Sequence, residues 1–413
     1  MRVARALYAL PVLLLASTGC TNDVGQGSDN ITDVPHTPVE RQSIGNCWLY
    51  AQASWVESMH LAATGEELDL SQSYWTYWHW FEQIDDWTTE ISTGGNQWTS
   101  NDLVLDRGLM ADAAFVAEDA ASEMSLRQRA ALDAINAELK SGRLKDRASR
   151  SNPELVRTVL DDAWQLTPEV RAHLDKVFGK DGARTLSGGA SVAGTPIIPA
   201  KNLAVRYAKR AANGTVTYSD TSLATAISEW RTETYPTWGS DVDQKRRAFQ
   251  IRVQRALHAR QPVVTTWDVD FNAMESGDNE RRGSFNLTTL KAAGRPGRQG
   301  GHMTVLEDYE AVTEEYGLLA AGVTLDPEKP EDAAKLEAAL LPSTTLRFLR
   351  IKNSWGAFRD DRASAPGFPG YHDLYVDYLN GPIKWCPNAT NPTNESCTGS
   401  TNPFDSVMLP PGF

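Results

Sequence analysis

A chain of 413 residues with 40 basic and 53 acidic side chains carries a formal charge of −13. That length allows two or three domains and a sizeable core, and the acidic balance argues against nucleic acid or an anionic membrane surface as a partner. The apolar and charged fractions, 41% and 23%, are those of a soluble globular protein.

Residues 1–19 read as a signal peptide. Arg2 and Arg5 form a basic start, and Leu7 to Ala16 is an apolar run too short to span a bilayer. Ser17-Thr18-Gly19-Cys20 then resembles a bacterial lipobox, with Ser17 where a Leu is usual. That resemblance implies export, cleavage before Cys20, a lipid on Cys20 and attachment to the cell envelope. Thr21 in place of Asp directs the expectation to the outer membrane. A plain secretory signal is the competing reading. Residues 20–40 are polar and read as a tether.

A helical lobe is expected over 41–117. Gln42-Ser-Ile-Gly-Asn-Cys47-Trp-Leu-Tyr-Ala places one Cys at the junction of a tight loop and a helix. Asn46 is a candidate N-cap. Ala51, Trp55 and Met59 fall on one stripe, and Thr64-Gly65 ends the helix. A thiol in the first helical turn faces free N–H groups and the positive end of the macrodipole, both of which favour thiolate. Ser71 is positioned to cap a second helix, on which Tyr74, Tyr77, Trp78 and Phe81 make one aromatic face, expected as core. Gly94-Gly95 marks a turn, and Thr99 to Arg107 a short helix stopped by Gly108.

Residues 118–249 read as a helical insertion, with charged, Ala/Leu-rich helices over 125–141 and 153–177. From 250 to 385 the pattern turns to strands: 261–269, 302–309, 346–351 and 370–376, with a short helical insert at 327–341. Residues 386–413 read as a Pro/Asn-rich tail in which Cys386 and Cys397 either close a small disulfide loop or remain thiols. They lack the further ligands that zinc wants, so no metal and no cofactor are expected. Helices first and strands later give an α+β class with segregated halves.

Cysteine-based acyl transfer needs a base beside the sulfur and a third group to orient that base. His302, behind Gly300-Gly301 at the start of a strand, and Asn353, just after a strand in Lys-Asn-Ser-Trp-Gly, supply the two side chains. None of the other six histidines has comparable surroundings.

Gly-Asn-Cys-Trp, a Gly-Gly turn, Gly-His before an apolar strand and Lys-Asn-Ser-Trp-Gly, in that order, resemble a papain-like cysteine peptidase. Leu70-Ser-Gln-Ser-Tyr74 and Pro262 to Val269 look most like the bleomycin hydrolase and aminopeptidase C branch. The resemblance covers 40–120 and 250–380 and implies a two-lobed fold, a helical lobe with the Cys and a β-barrel-like lobe with the His and Asn. It implies Cys47 as nucleophile, His302 as general base, Asn353 as its orienting partner and Trp355 as the indole shielding that bond. Gly94, Gly95 and Trp355 become candidate substrate-side residues, and Gln42 the second oxyanion donor, five residues before the Cys where the family has six. The substrate implied is a peptide or protein. The opposing reading is a binding or adhesion lipoprotein that keeps the fold without catalysis.

Overall fold

In the computed structural model of this chain, residues 34–359 and 361–413 are described. The expected signal peptide, Cys20 and the expected tether up to residue 33 lie outside them.

Helix α1 (Cys47–Thr64) ends at Gly65, whose φ of +74° lets its N–H reach the Leu61 carbonyl. The start differs from expectation. Asn46 stands at the N-cap position but makes no capping bond. Its Nδ2 donates instead to Thr76 Oγ1 at 3.0 Å and Gln128 Oε1 at 3.1 Å. Burial runs almost all round α1 rather than along one stripe, from Trp48 to Met59. Such a helix lies inside its lobe, not on the surface. Helix α2 (Gln72–Gln83) is capped by Ser71, whose side chain accepts from Tyr74 N–H. Tyr74, Tyr77 and Trp78 are fully buried, as the aromatic face requires. Helix α3 (Gln97–Arg107) begins at the Asn96 cap and stops at Gly108.

The expected helical insertion differs in two ways. Its helices at Arg127–Ser141, Pro153–Ala163 and Pro168–Phe178 belong to the same apolar core as α1 and α2. Arg157 Nε donates to Tyr77 Oη at 2.6 Å, and Tyr77 in turn donates to Asp161 at 2.7 Å. The second difference is strands. β1 (Ala204–Arg210) and β2 (Val216–Ser222) form an antiparallel hairpin, and β3 (Arg231–Thr234) joins the main sheet. Alternating Val205, Tyr207 and the exposed polar positions of β2 carry a strand pattern that the nearby charged helices obscure.

The main sheet contains β3, β4 (Val263–Asp270), β5 (Gln299–Thr313), β6 (Gly317–Leu319), β7 (Thr345–Lys352), β8 (Tyr371–Tyr375) and β11 (Phe404–Leu409), with the small pair β9 (Ile383–Trp385) and β10 (Gly399–Thr401) beside it. Its order is β3-β11-β4-β5-β7-β8, with β6 on β5, all antiparallel. The sheet is open, with β3 and β8 at its ends, so the barrel-like lobe does not close. The expected C-terminal tail is corrected too. β11 lies between β3 and β4, with Phe404, Val407, Met408 and Leu409 buried. Asp405-Ser406 breaks the apolar alternation that would have marked it. Cys386 and Cys397 are joined in a disulfide that closes the loop between β9 and β10. The architecture is α+β, a helical lobe facing a sheet lobe, with one core in each.

Candidate active site

The N-terminus of α1 faces β5, the central strand. Register between β4 and β5 sets Trp267 opposite His302 and Asp268 opposite Gly301. Register between β5 and β7 sets Val305 opposite Lys352, which brings the next residue, Asn353, alongside the start of β5. His302 Nε2 and Asn353 Oδ1 are 2.8 Å apart, across 51 residues of sequence. Because a carbonyl oxygen only accepts, Nε2 carries the proton in this bond and Nδ1 keeps a lone pair. Asn353 Oδ1 also accepts from Ser354 N–H at 2.7 Å. Trp355 stacks on His302 at 17° with centroids 4.9 Å apart, and Trp267 meets it edge-on at 5.7 Å. Arg362 lies over the Trp355 ring at 4.3 Å.

Cys47, half-buried and the only free cysteine among the described residues, shares a cleft of about 390 Å³ with His302. Gly95, Trp98, Thr266 and Met408 line it as well. Burial pushes the Cys47 thiol up, while the N–H groups of Met303, Trp48 and Cys47 itself act the other way. Burial likewise pushes His302 down to about 4, against the bond from Asn353. Taken singly, each group resists charging. Proton transfer from thiol to imidazole creates both charges side by side, so their attraction offsets the desolvation that each would meet alone.

The structure brings together Cys47, His302, Asn353 and Gly95. A Cβ on Gly95 would stand 2.4 Å from Trp48 Cε2, so only glycine lets this turn close on the indole. Trp48 Nε1 donates to Thr93 O at 3.0 Å and fixes the same turn. Gly94 offers its carbonyl to His79 Nε2 at 3.2 Å and is not among the lining residues. Trp355 is also outside the lining. It is buried beneath His302, which corrects the expectation that it touches substrate. Gln42 does not line the cleft either. Its Oε1 accepts from Ser354 Oγ at 2.6 Å, and Nε2 donates to Ile44 O at 2.7 Å. The second Nε2 hydrogen has no acceptor among the described residues.

Three features went unread in the sequence. Thr232 and Thr234 of β3 and Ser406 and Met408 of β11 form cleft wall, though both segments lie far from the recognised motifs. His372 packs behind Asn353. Carboxylate oxygens of Glu40, Asp69 and Asp112 lie within 4.8 Å of one another, an all-oxygen set of the kind hard cations take. Burial first, then repulsion among neighbouring carboxylates, raises Glu40 well up and Asp112 to about 8.

No protein-family model matches the chain, and no curated protein matches it. Among solved structures it is similar to PepW from Lactobacillus rhamnosis, at 11% identity over 93% of this chain and 81% of that one, with a TM-score of 0.38. It is similar to xylellain, a cysteine protease from Xylella fastidiosa, at 13% identity over 92% and 85%, TM-score 0.36. A cysteine protease from Carica candamarcensis is similar at 12% identity over 91% and 93%, TM-score 0.30.

Proposed function

We propose that the protein is a cysteine-type peptidase. The observation that carries this reading is the 2.8 Å bond from His302 Nε2 to Asn353 Oδ1, which leaves Nδ1 bare in a cleft shared with Cys47. In the reaction inferred, His302 Nδ1 takes the thiol proton and the Cys47 thiolate attacks the peptide carbonyl. Cys47 N–H stabilises the oxyanion; the motif resemblance assigns the second donor to Gln42, which stands outside the cleft lining with one Nε2 hydrogen uncommitted. The imidazolium then protonates the leaving amine, and an acyl-thioester remains on Cys47. Water attacks the thioester as His302 removes its proton, and the acid product and thiolate are released. The resemblance in motifs supports a place near the bleomycin hydrolase and aminopeptidase C branch. The Ser17–Cys20 segment supports a lipid-anchored, envelope-bound form.

The second reading is a binding lipoprotein without catalysis. The burial that holds Cys47 as thiol and His302 neutral favours it. Soluble protein starting near Asn22, incubated with a peptide mixture under reducing conditions and analysed by mass spectrometry, separates the two. Cleavage that disappears in Cys47→Ala is the expected result. No cleavage, with Cys47 alkylated no faster than an ordinary thiol near neutral pH, would reverse the choice.

A further inference from the structure

A second imidazole stands behind the His302–Asn353 pair, on the side the reaction does not reach. His372 lies on β8 opposite Ile351 of β7 and is 1% exposed. Its Nδ1 is 3.3 Å from Asn353 Nδ2. The Asn353 amide has an accepting end and a donating end, and only one arrangement serves His302. Oδ1 receives His302 Nε2–H and Ser354 N–H. A flipped amide would set Nδ2 against both of these donors and break both bonds. An acceptor for Nδ2 adds a third hold on the amide beside those two bonds, and His372 Nδ1 is in that place.

The geometry also assigns the tautomer of His372. Nδ1 must be bare to accept, so the ring proton sits on Nε2. The Nε2 atom has no partner at hydrogen-bond geometry among the described residues. The carbonyls of Ala363 and Gly370 lie close to the ring and favour its charged form. Trp355 meets the ring edge-on at 5.1 Å, and Phe285 lies at 6.1 Å. The titratable and charged groups facing it are His302 and Arg362. Burial first, then these two, push His372 down to about 3. The ring thus stays neutral, as an acceptor for Asn353 must.

We propose that His372 is a positioning residue: by accepting from Asn353 Nδ2 it locks Oδ1 toward His302 and so keeps His302 Nδ1 aimed at the Cys47 sulfur. This rests on the peptidase reading for its effect on rate, but its geometric content does not. A histidine that merely fills space would be replaced equally well by any side chain of similar volume.

Two substitutions separate the roles. His372→Leu fills the space and accepts nothing. His372→Asn keeps an acceptor, with Oδ1 in place of Nδ1. In His372→Leu, kcat on a cleaved peptide should fall by about 10–100-fold, as for other outer partners that orient a reacting group, with KM nearly unchanged. His372→Asn should recover most of it. The alkaline limb of the Cys47 alkylation rate should move to lower pH by about one unit in His372→Leu, because imidazolium loses its oriented acceptor. That measurement needs no substrate. Nitrogen-15 NMR of the histidine rings in the full Cys47→Ala protein needs neither activity nor a folded His372 variant, and should show His372 protonated at Nε2. Equal kcat and equal alkaline limbs in both variants, or a His372 proton on Nδ1, would overturn the proposal.

Discussion

Gln42 and Gly95 show how much a single residue's surroundings decide. Ser354 Oγ holds Gln42 Oε1, so the amide cannot rotate freely, and one Nε2 hydrogen remains for an oxyanion. On the peptidase reading, Gln42→Ala should lower kcat by about 10²–10³-fold with little change in KM, measured on any peptide found to be cleaved. A loss under about threefold would mean the five-residue spacing to Cys47 misplaces the donor. Gly95→Ala would force a methyl into the Trp48 ring. Its expected result is a raised KM and a lower melting temperature together, since the same indole walls the cleft and packs in the core. Cys47, His302 and Asn353 were legible because each sits in a short motif at the end of an element. His372 was not. Gly370-Tyr-His-Asp reads as ordinary strand, and its chemical meaning comes only from Asn353, just past the end of β7.

At the scale of elements, β11 is the least legible and among the most consequential. It supplies hydrogen bonds to two strands and wall to the cleft. Leu409, 2% exposed, faces the sheet-lobe core. Leu409→Ala should cost about 2–5 kcal/mol, read as a shift in denaturant midpoint at unchanged slope. A cost under about 1 kcal/mol would say the strand is peripheral. The helices were easier, because Ser71, Gly65 and Gly108 act within one turn of the residues they cap or stop. Asn46 misled for the same reason: a capping residue type was drawn away by Thr76 and Gln128, partners that exist only after the lobe packs.

For the whole molecule, buried titratable groups set opposing limits on stability. His258, His302 and His372 are held down at about 4, 4 and 3 against an ordinary 6.5. Their folded values lie below the unfolded one, so the stability they contribute is present above 6.5 and lost as pH falls through 4. Asp112 and Asp268 are raised to about 8 and about 6 from 3.8. Their contribution is full below 3.8 and lost as pH rises through 6 and 8. Between pH 6.5 and 8 the histidines no longer add a slope and Asp268 adds little, while Asp112 still does. The melting temperature should therefore fall over that window, and fall less steeply in Asp112→Asn. Equal slopes by calorimetry would remove Asp112 from this account.

Local patterns in the sequence predict the α+β class, the two aromatic-rich helices, strands at 261–269 and 346–351 that the structure sets at 263–270 and 345–352, and the order of the three candidate side chains. Those readings depend on periodicity, caps and motifs that act over about ten residues. Tertiary structure alone decided that the sheet stays open, that the C-terminal strand enters it beside β4, and that residues 127–178 complete the helical core. It also decided that Asn353 reaches His302 on one side and His372 on the other. The reason is physical. Strand order and side-chain bonds between distant residues are set by which buried groups find partners once both lobes have packed, and no local pattern encodes that choice.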